Sequence, residues 1–378
     1  MFEPYLYDSV RKPLAEAETL PPRCYHDKAF YQREVEQIFL RRWSVIGRVD
    51  EWKKVGDFQA YERFGVPFFV VKDKAGDLRA FSNTCRHRGA RVAEGGGNCR
   101  AFVCPYHSWV YDLDGTLHSA PGMEQTAHFH EAQYSLLPIK LAVWHSFVFV
   151  NFAVDCVSLE TQLGDLEQYI ESYDLENVRT VGRREWVVTS NWKNYVENSM
   201  EWLHHSTVHH KSILNRVAKI ERNPICGDPG EYVLVQSRAN GVSRAVMGNA
   251  ETFPPVSTLK GRTLEGSHYM LLYPYTMVGC DLDSIWYKQM IPEGPDKVRN
   301  IATFCFHKEI CDRPDFDKIA PNYIDRFVTV VEEDNAAMTQ QFAGLTSPFA
   351  KPGRFSDREI LVHRIDNWVL DQVLDRNS

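Results

Sequence analysis

The stretch NWKNYVENSMEWLHHSTVHH, residues 191–210, places four histidines in seven positions, with two carboxylates just upstream. Its apolar residues recur at spacings of three and four, which predicts an amphipathic helix. Residues three or four apart share one face of a helix, so Glu201 is expected beside His204 or His205. A carboxylate and an imidazole in contact can form half of a metal site or an acid/base pair. A solvent-exposed helix with a His-rich polar face is the simpler alternative.

The size and composition of the chain indicate a globular protein of two or three domains. Of its 378 residues, 44% are hydrophobic and 25% are charged, and the formal net charge is −7. This acidic balance argues against binding to nucleic acid or to an anionic membrane. No apolar run reaches the ~20 residues of a membrane span, and the start of the chain lacks the features of a signal peptide. Nine cysteines, most of them isolated, suit reduced thiols, so a cytoplasmic location is expected.

A second set of potential metal ligands lies upstream, within short β-type runs between about residues 45 and 155. One residue separates Cys85 from His87 and two separate Cys104 from His107, with a gap of 16 residues between the pairs. Two thiolates and two imidazoles suit either Zn²⁺ or a [2Fe–2S] cluster in which one iron is bound by histidine. Zinc sites usually pair cysteine with cysteine and histidine with histidine, and this spacing fits that pattern poorly.

These residues and their neighbours resemble the Rieske motif of ring-hydroxylating and related Rieske non-haem iron oxygenases. The similarity covers three segments: CRHRGA (85–90), CPYHSW (104–109) and YDLDGTL (111–117). The resemblance implies that Cys85 and Cys104 bind one iron of a [2Fe–2S] cluster. His87 and His107 would then bind the other iron, which raises the reduction potential relative to an all-cysteine cluster.

The same resemblance implies a mononuclear iron site within residues 191–210. The family's pattern is an acid, a histidine after two intervening residues and a second histidine after four, which here selects Glu201, His204 and His209. By spacing alone, the pairs His205 with His209 and His205 with His210 stay open. Only the first choice keeps a carboxylate at the acid position. Its five-residue step implies that the helix ends or distorts close to residues 206 and 207.

A mononuclear Fe(II) oxygenase needs two histidines and one carboxylate, with positions left open for O₂ and substrate. The segment VVEEDNAAMTQQFAGLTSP, residues 330–348, resembles the family's C-terminal helix, and its acidic group offers Asp334 as the third ligand. Glu332 and Glu333 compete with it on residue type. The match to the family makes Asp334 the ligand and Glu333 its neighbour. Acidic residues on a solvated helix face are the alternative explanation.

The resemblance implies an α+β protein with three parts. Residues 1–44 would form a helical segment, with Asp27 as a helix cap, that packs on the catalytic domain. Residues 45–155 would form a small antiparallel β domain that holds the Rieske cluster. Residues 156–378 would form the mononuclear iron domain, where β-type runs over 225–310 build an antiparallel sheet covered by helices.

The implied function is that of a terminal oxygenase component, a mono- or dioxygenase that hydroxylates or oxidatively demethylates a small organic substrate. An aromatic compound or aromatic acid is favoured, and a quaternary or N-methyl amine such as a betaine or carnitine is the alternative. Electrons would come from NAD(P)H through a separate reductase, possibly with a ferredoxin, since the chain has no GxGxxG nucleotide loop. A zinc-stabilised binding protein and a Rieske electron carrier are the alternatives of another class.

The resemblance to this family implies further roles for two residues within 191–210. Glu201 would link His204 to His107 of a neighbouring chain in a homotrimer, and Asn198 would lie near the open side of the iron. A polar loop over about 212–262 is expected to cover the substrate pocket. Aromatic and sulfur-bearing residues are expected to line that pocket: Met200, Trp202, Tyr273, Tyr275 and Met277.

Overall fold

The structure is a computed structural model that describes residues 1–210, 212, 221–238 and 245–374. The chain divides into two units, residues 45–156 and residues 1–44 together with 157–378. None of the helices in these ranges has the length and apolarity to cross a bilayer.

The first unit is built from short β-strands, as its succession of short β-type runs predicts. A seven-stranded sheet has the order β1-β10-β9-β4-β3-β2-β5, and β6, β7 and β8 form a three-stranded sheet. The strands are β1 (Ser44–Arg48), β2 (Asp57–Arg63), β3 (Val66–Lys72), β4 (Leu78–Ser82), β5 (Gly96–Asn98), β6 (Phe102–Val103), β7 (Val110–Tyr111), β8 (Leu117–Ser119), β9 (Pro138–Trp144) and β10 (Phe147–Asn151). Cys85 and Cys104 belong to its aromatic core, together with Phe69, Phe102 and Trp109.

The second unit contains an antiparallel sheet of seven strands in the order β11-β17-β16-β15-β14-β13-β12. Its strands are β11 (Val178–Thr189), β12 (Arg222–Cys226), β13 (Tyr232–Arg238), β14 (Gly266–Leu272), β15 (Thr276–Cys280), β16 (Ile285–Gly294) and β17 (Lys297–His307). The β-type runs between residues 225 and 310 therefore form the predicted sheet.

The helices of the second unit lie before, between and after these strands. They are α1 (Arg23–His26), α2 (Lys28–Glu34), α3 (Leu159–Leu163), α4 (Glu167–Ile170), α5 (Trp192–Ser199), α6 (Arg262–Glu265), α7 (Lys308–Cys311), α8 (Phe316–Leu345) and α9 (Ile360–Val373). Asp27 caps α2 as predicted, because its carboxylate accepts hydrogen bonds from the amides of Ala29 and Phe30 at 2.8 and 3.0 Å.

Helices α5 and α8 cover one face of the sheet. Alternate residues of β16 share that face, among them Trp286, Lys288 and Met290. The Trp286 ring lies 4.6 Å from the ring of Phe327 on α8. The Nζ of Lys288 lies 5.7 Å from the ring of Tyr195 on α5. The sheet and these two helices therefore enclose the region that holds the histidines, and the mixed α+β architecture agrees with the expected fold class.

The loop expected over about 212–262 is only partly described. Residues 213–220 and 239–244 lie outside the described residues. The remainder is not one loop, because β12 and β13 lie within it.

Candidate functional site

Two loops of the first unit present the cysteine and histidine pairs in the same backbone geometry. The amide of Cys85 donates to the carbonyl of Ala90 at 2.8 Å, and the amide of Gly89 donates to the carbonyl of Cys85 at 2.9 Å. The second loop makes the same two bonds: the amide of Cys104 donates to the carbonyl of the residue five positions later, and the amide of the residue four positions later donates to the carbonyl of Cys104. Gly89 and Ser108 occupy the matching position with φ of 78° and 60°. The second loop therefore holds a non-glycine residue in a conformation that glycine adopts most readily.

The four side chains of these loops fit a [2Fe–2S] cluster. Cys85 and Cys104 are buried, and the rings of His87 and His107 lie 4.6 Å apart. Trp109 stacks on His87 at 4.8 Å, which fixes the orientation of that imidazole. The Nδ1 atoms of both histidines are buried and have no hydrogen-bond partner within the described part of the chain. Such atoms are costly unless another group binds them, and two thiolates with two free imidazole nitrogens are the donor set of a Rieske centre.

A tyrosine hydroxyl lies beside one of the thiols. The Tyr111 oxygen is 3.3 Å from Sγ of Cys85 and accepts a hydrogen bond from the amide of Arg86 at 2.9 Å. Burial raises the pKa of Tyr111 above its usual range, and the contact with Cys85 adds to this rise. The hydroxyl therefore stays protonated and can donate to the sulfur, which is one way that a protein tunes a cluster potential.

Residues 191–210, which belong to the second unit, do not form a single helix. Helix α5 (Trp192–Ser199) is capped by Asn191, whose side chain accepts a hydrogen bond from the amide of Lys193 at 3.0 Å. The helix therefore ends earlier than residues 206 and 207, where its end or distortion was predicted. The carboxylate of Glu201 accepts a bond from the amide of Leu203, and a short 3₁₀ turn follows over His204–Ser206. A side chain that bonds to nearby backbone competes with helix propagation, which accounts for the early end of α5.

This break lets three predicted side chains meet. One ligand atom each from His204, His209 and Asp334 lies within 4.8 Å of the others. The Nε2 atoms of His209 and His204 lie 3.0 and 3.7 Å from Oδ1 of Asp334. Asp334 comes from α8, so the site joins the turns after α5 to a helix far along the chain.

Each imidazole of this group is oriented by a carboxylate that contacts its Nδ1 atom. Nδ1 of His204 contacts Glu201, and Nδ1 of His209 lies 2.7 Å from Oε2 of Glu333. Both rings therefore direct Nε2 toward Asp334, the arrangement that metal-binding histidines commonly adopt. Burial is the largest single influence on the pKa of Asp334 and raises it, but the hydrogen bond to His209 and the positive charges of Lys288 and the two histidines together lower the pKa of that carboxyl below its usual value. The sequence indicated Glu333 only as a neighbour, because residue type alone does not show where its side chain points.

The other two histidines of the stretch lie outside the group. His205 is held neutral, since burial and the nearby His204 and Arg222 lower its pKa to about 2. Its Nδ1 lies 3.2 Å from a guanidinium nitrogen of Arg222. His210 is exposed, and its Nδ1 donates to the carbonyl of Thr207 at 2.9 Å.

A cavity opens beside the three grouped side chains. Asn198 lines it, as do three of the predicted pocket residues: Met200, Trp202 and Met277. Tyr273 and Tyr275 do not line it, so that part of the prediction was wrong. Their rings pack 4.4 Å from Trp368 and 5.9 Å from Phe39 instead, in the hydrophobic core.

Sequence reasoning missed several lining residues that come from the sheet and α8. They are Arg222, Tyr269, Trp286, Lys288, Arg326 and Phe327. The one available signal was Lys288, a cation inside the apolar strand run SIWYKQMIP, because such a residue needs a reason to be there.

Comparison with known proteins agrees with both parts of this geometry. The family model for the ring hydroxylating alpha subunit (catalytic domain) matches residues 175–375, and the Rieske [2Fe-2S] domain model matches residues 42–134. Biphenyl 2,3-dioxygenase subunit alpha of Rhodococcus jostii (strain RHA1) is 35% identical over 203 residues, which are 52% of this chain and 44% of that subunit. Chloroplastic choline monooxygenase of Atriplex hortensis is 26% identical over 376 residues, which are 96% of this chain and 79% of that protein.

Solved structures share the fold. A quaternary ammonium Rieske monooxygenase crystallised with an inhibitor aligns with a TM-score of 0.81 at 20% identity, over 97% of this chain and 98% of the other. The chain thus spans less than half of the biphenyl dioxygenase subunit and most of choline monooxygenase. The catalytic-domain model covers more than half of this chain, and the Rieske model covers both Cys-His loops, so the chain belongs to the ring-hydroxylating alpha-subunit family of Rieske oxygenases.

Proposed function

We propose that the chain is a terminal oxygenase that hydroxylates or oxidatively demethylates a small organic substrate. The observation that carries this proposal is the meeting of His204, His209 and Asp334 at the wall of a cavity. In a hydroxylation, one atom of O₂ enters a C–H bond. The other atom leaves as water, with two electrons and two protons supplied from outside the substrate.

The donor sets match the two metal groups that this function requires. His204, His209 and Asp334 would hold Fe(II), since two imidazoles and one carboxylate leave coordination positions free for O₂ and substrate. The loops of residues 85–90 and 104–109 would hold the [2Fe–2S] cluster through two thiolates and two imidazoles. When bound, these groups supply O₂ activation and one-electron transfer.

The protein's own side chains position this chemistry. Glu201 and Glu333 fix the two imidazoles from behind and set which ring nitrogen is free. The amide of Asn198 lines the cavity beside them and can hold a water or a substrate oxygen. Glu201 is further proposed to connect His204 with His107 of a neighbouring copy in a homotrimer, so that the acid has one imidazole on each side.

The electron source is proposed to be NAD(P)H through a separate reductase, with or without a ferredoxin. A cytoplasmic location is proposed as well. None of the nine cysteines forms a disulfide bond, which suits a reducing compartment.

Two substrate classes fit an aromatic cavity. The faces of Trp202, Trp286 and Phe327 suit an aromatic ring by stacking and edge contacts. The same faces suit a quaternary or N-methyl ammonium group through cation–π attraction. Aromatic compounds and aromatic acids are the first choice, and betaine-type amines are the second.

Metal analysis of the purified protein tests the proposal against its rivals. A terminal oxygenase should contain about three irons per chain and show the visible spectrum of a Rieske cluster. About two irons would indicate an electron carrier, and colourless protein with zinc would indicate a structural zinc site. NADH consumption with a surrogate reductase, measured over aromatic acids and N-methyl amines, would then identify the substrate class.

A further inference from the structure

The cavity beside His204, His209 and Asp334 carries an excess of positive side chains. Three cations line it: Arg222, Lys288 and Arg326. Its two carboxylates, Glu201 and Asp334, already contact the grouped histidines. A bound iron ion would add to the positive charge, so the space left for substrate favours an anion.

Lys288 is the most deeply buried of the three cations. Its side chain is 3% exposed and lines the cavity from the centre of the sheet, where β16 pairs with β15 and β17. Within the described residues it makes neither a hydrogen bond nor an ion pair; its Nζ lies 5.7 Å from the centre of the Tyr195 ring and is attracted by Asp334 without contacting it. A buried ammonium without a direct hydrogen-bond partner is costly, and Asp334 is engaged by the histidines, so an anionic group in the cavity would provide the missing contact.

Arg326 supplies a second cation from another element. It lies on α8 eight residues before Asp334, which is roughly 12 Å along the helix axis. No hydrogen bond or ion pair holds its guanidinium in the part of the chain that the structure describes. Arg222, by contrast, already has partners, because it lies over the Trp202 ring at 5.2 Å and contacts His205.

The aromatic residues that line the cavity offer few free hydrogen-bonding groups. The hydroxyl of Tyr269 and the Nε1 of Trp286 both donate to the buried carboxylate of Asp281, at 2.8 and 3.2 Å. Their polar atoms are therefore already bonded. The part of a substrate that touches this aromatic wall must accordingly be a ring, an alkyl group or an alkylated ammonium.

We infer that the substrate is a small organic acid whose carboxylate is bound in this cavity by Lys288, with Arg326 adding to the positive potential, and whose remaining part lies against the aromatic wall. This inference rests on the proposed function and narrows it. An aromatic carboxylate and a zwitterionic betaine share the required chemistry. A neutral arene and a choline-type cation without a carboxylate lack it.

Two matched pairs of ligands test this directly. Benzoate is compared with benzamide and glycine betaine with choline, by calorimetric titration of the iron-loaded protein. In at least one pair the acid is expected to bind about tenfold or more tightly than its partner, a difference of ~1.4 kcal/mol. The pair that responds distinguishes an aromatic acid from a betaine. A panel in which neither acid exceeds its partner, including one in which nothing binds, overturns the inference.

Two variants locate the anion site. Lys288→Met keeps an unbranched side chain in the core, and Arg326→Gln removes a charge at a half-buried position. Because two variants are used, the anion site can still be tested if one of them fails to fold. Each is expected to reduce the acid-to-partner preference about tenfold or more and to leave binding of the neutral benzamide unchanged. Lys318→Met, an exposed cation on the same helix, is the control. A preference that survives both variants places the carboxylate elsewhere and refutes this site.

Failure of the inference is distinguishable from failure of the proposed function. Iron content and the spectrum of the reduced cluster report on the oxygenase, whatever binds in the cavity. Protein that holds both metal groups and binds benzamide as well as benzoate stays an oxygenase with a neutral substrate. Protein without iron that still prefers the acid keeps the anion site and loses the oxygenase.

Discussion

The imidazole of His209 meets the carboxylate of Asp334 at 3.0 Å, between Nε2 and Oδ1, and both groups are buried. The two residues are far apart in the sequence, so they come together only because α8 packs against the turns after α5. Asp334 is favoured in its charged form by this contact, which suits a ligand for a divalent cation.

Asp334→Asn should remove the mononuclear iron and spare the Rieske cluster. The amide keeps the shape of the side chain but loses the anionic oxygen that completes the ligand set. Iron content should fall from about three to about two per chain, while the spectrum of the reduced cluster stays unchanged. Retention of all three irons would remove Asp334 from the ligand set.

Glu333→Gln should weaken iron binding without abolishing it. Oε2 of Glu333 lies 2.7 Å from Nδ1 of His209 and accepts a bond from the Ser212 hydroxyl at 2.5 Å. Loss of such a partner typically costs 10–100-fold in metal affinity. Competition with a chelator measures this, and excess Fe(II) should restore activity. Glu332→Gln is the matched control, because Glu332 is exposed and precedes Glu333 on the same helix.

With Fe(II) in excess, Glu201→Gln should hold both metal groups and still nearly abolish turnover, whereas excess Fe(II) should restore the activity of Glu333→Gln. Glu201 is not a proposed ligand, but its carboxylate holds Nδ1 of His204 and is the proposed link to the imidazole of a neighbouring copy. An amide in its place still hydrogen-bonds but carries no charge. Steady-state rates with a surrogate reductase, set beside iron content, decide the matter. Wild-type rates, or loss of the mononuclear iron, would contradict the linking role.

The sequence predicted what depends on local spacing and missed what depends on the direction of side chains. The ligand loops at Cys85 and Cys104 were visible because each pair lies within four residues on one turn. The end of α5 at Ser199 was missed, since apolar periodicity continues to Leu203 while the Glu201 side chain bonds to the backbone and ends the helix. The cations of the cavity were missed because nothing local tells which face of a strand or helix Lys288 or Arg326 occupies.

Lys193→Met should destabilise the second unit. The Nζ of Lys193 lies 2.5 Å from Oε1 of Glu34, and both side chains are fully buried. Removal of one partner leaves the other charge buried, which typically costs ~3–5 kcal/mol of unfolding free energy. The double variant Lys193→Met/Glu34→Leu should recover much of that loss, because an apolar pair needs no compensation. Denaturant titrations that place both variants at the same midpoint would contradict this account.

The stability of the second unit should depend on pH through Asp366. Burial raises the pKa of this carboxyl to about 7, although the neighbouring Glu197 side chain opposes the rise. Glu197, Tyr25, Lys193 and Glu359 are the other titratable groups that act on it or are affected by it. The unfolded chain releases this proton above a pH of about 4, whereas the folded protein retains it up to about 7. Folding therefore binds a proton in this window, and stability must fall as pH rises through it.

Asp366→Asn removes that titration. The stability of the variant relative to the wild type should increase between pH values of about 4 and about 7 and then stay constant, since both forms of the protein lack further change at this site above that range. Melting temperatures of the two proteins over a series of pH values measure the difference. Asp371→Asn, an exposed carboxylate on the same helix that pairs with Arg11, serves as the control and should give curves parallel to those of the wild type. Parallel curves for Asp366→Asn as well would mean that Asp366 is ionised in the folded protein throughout this range.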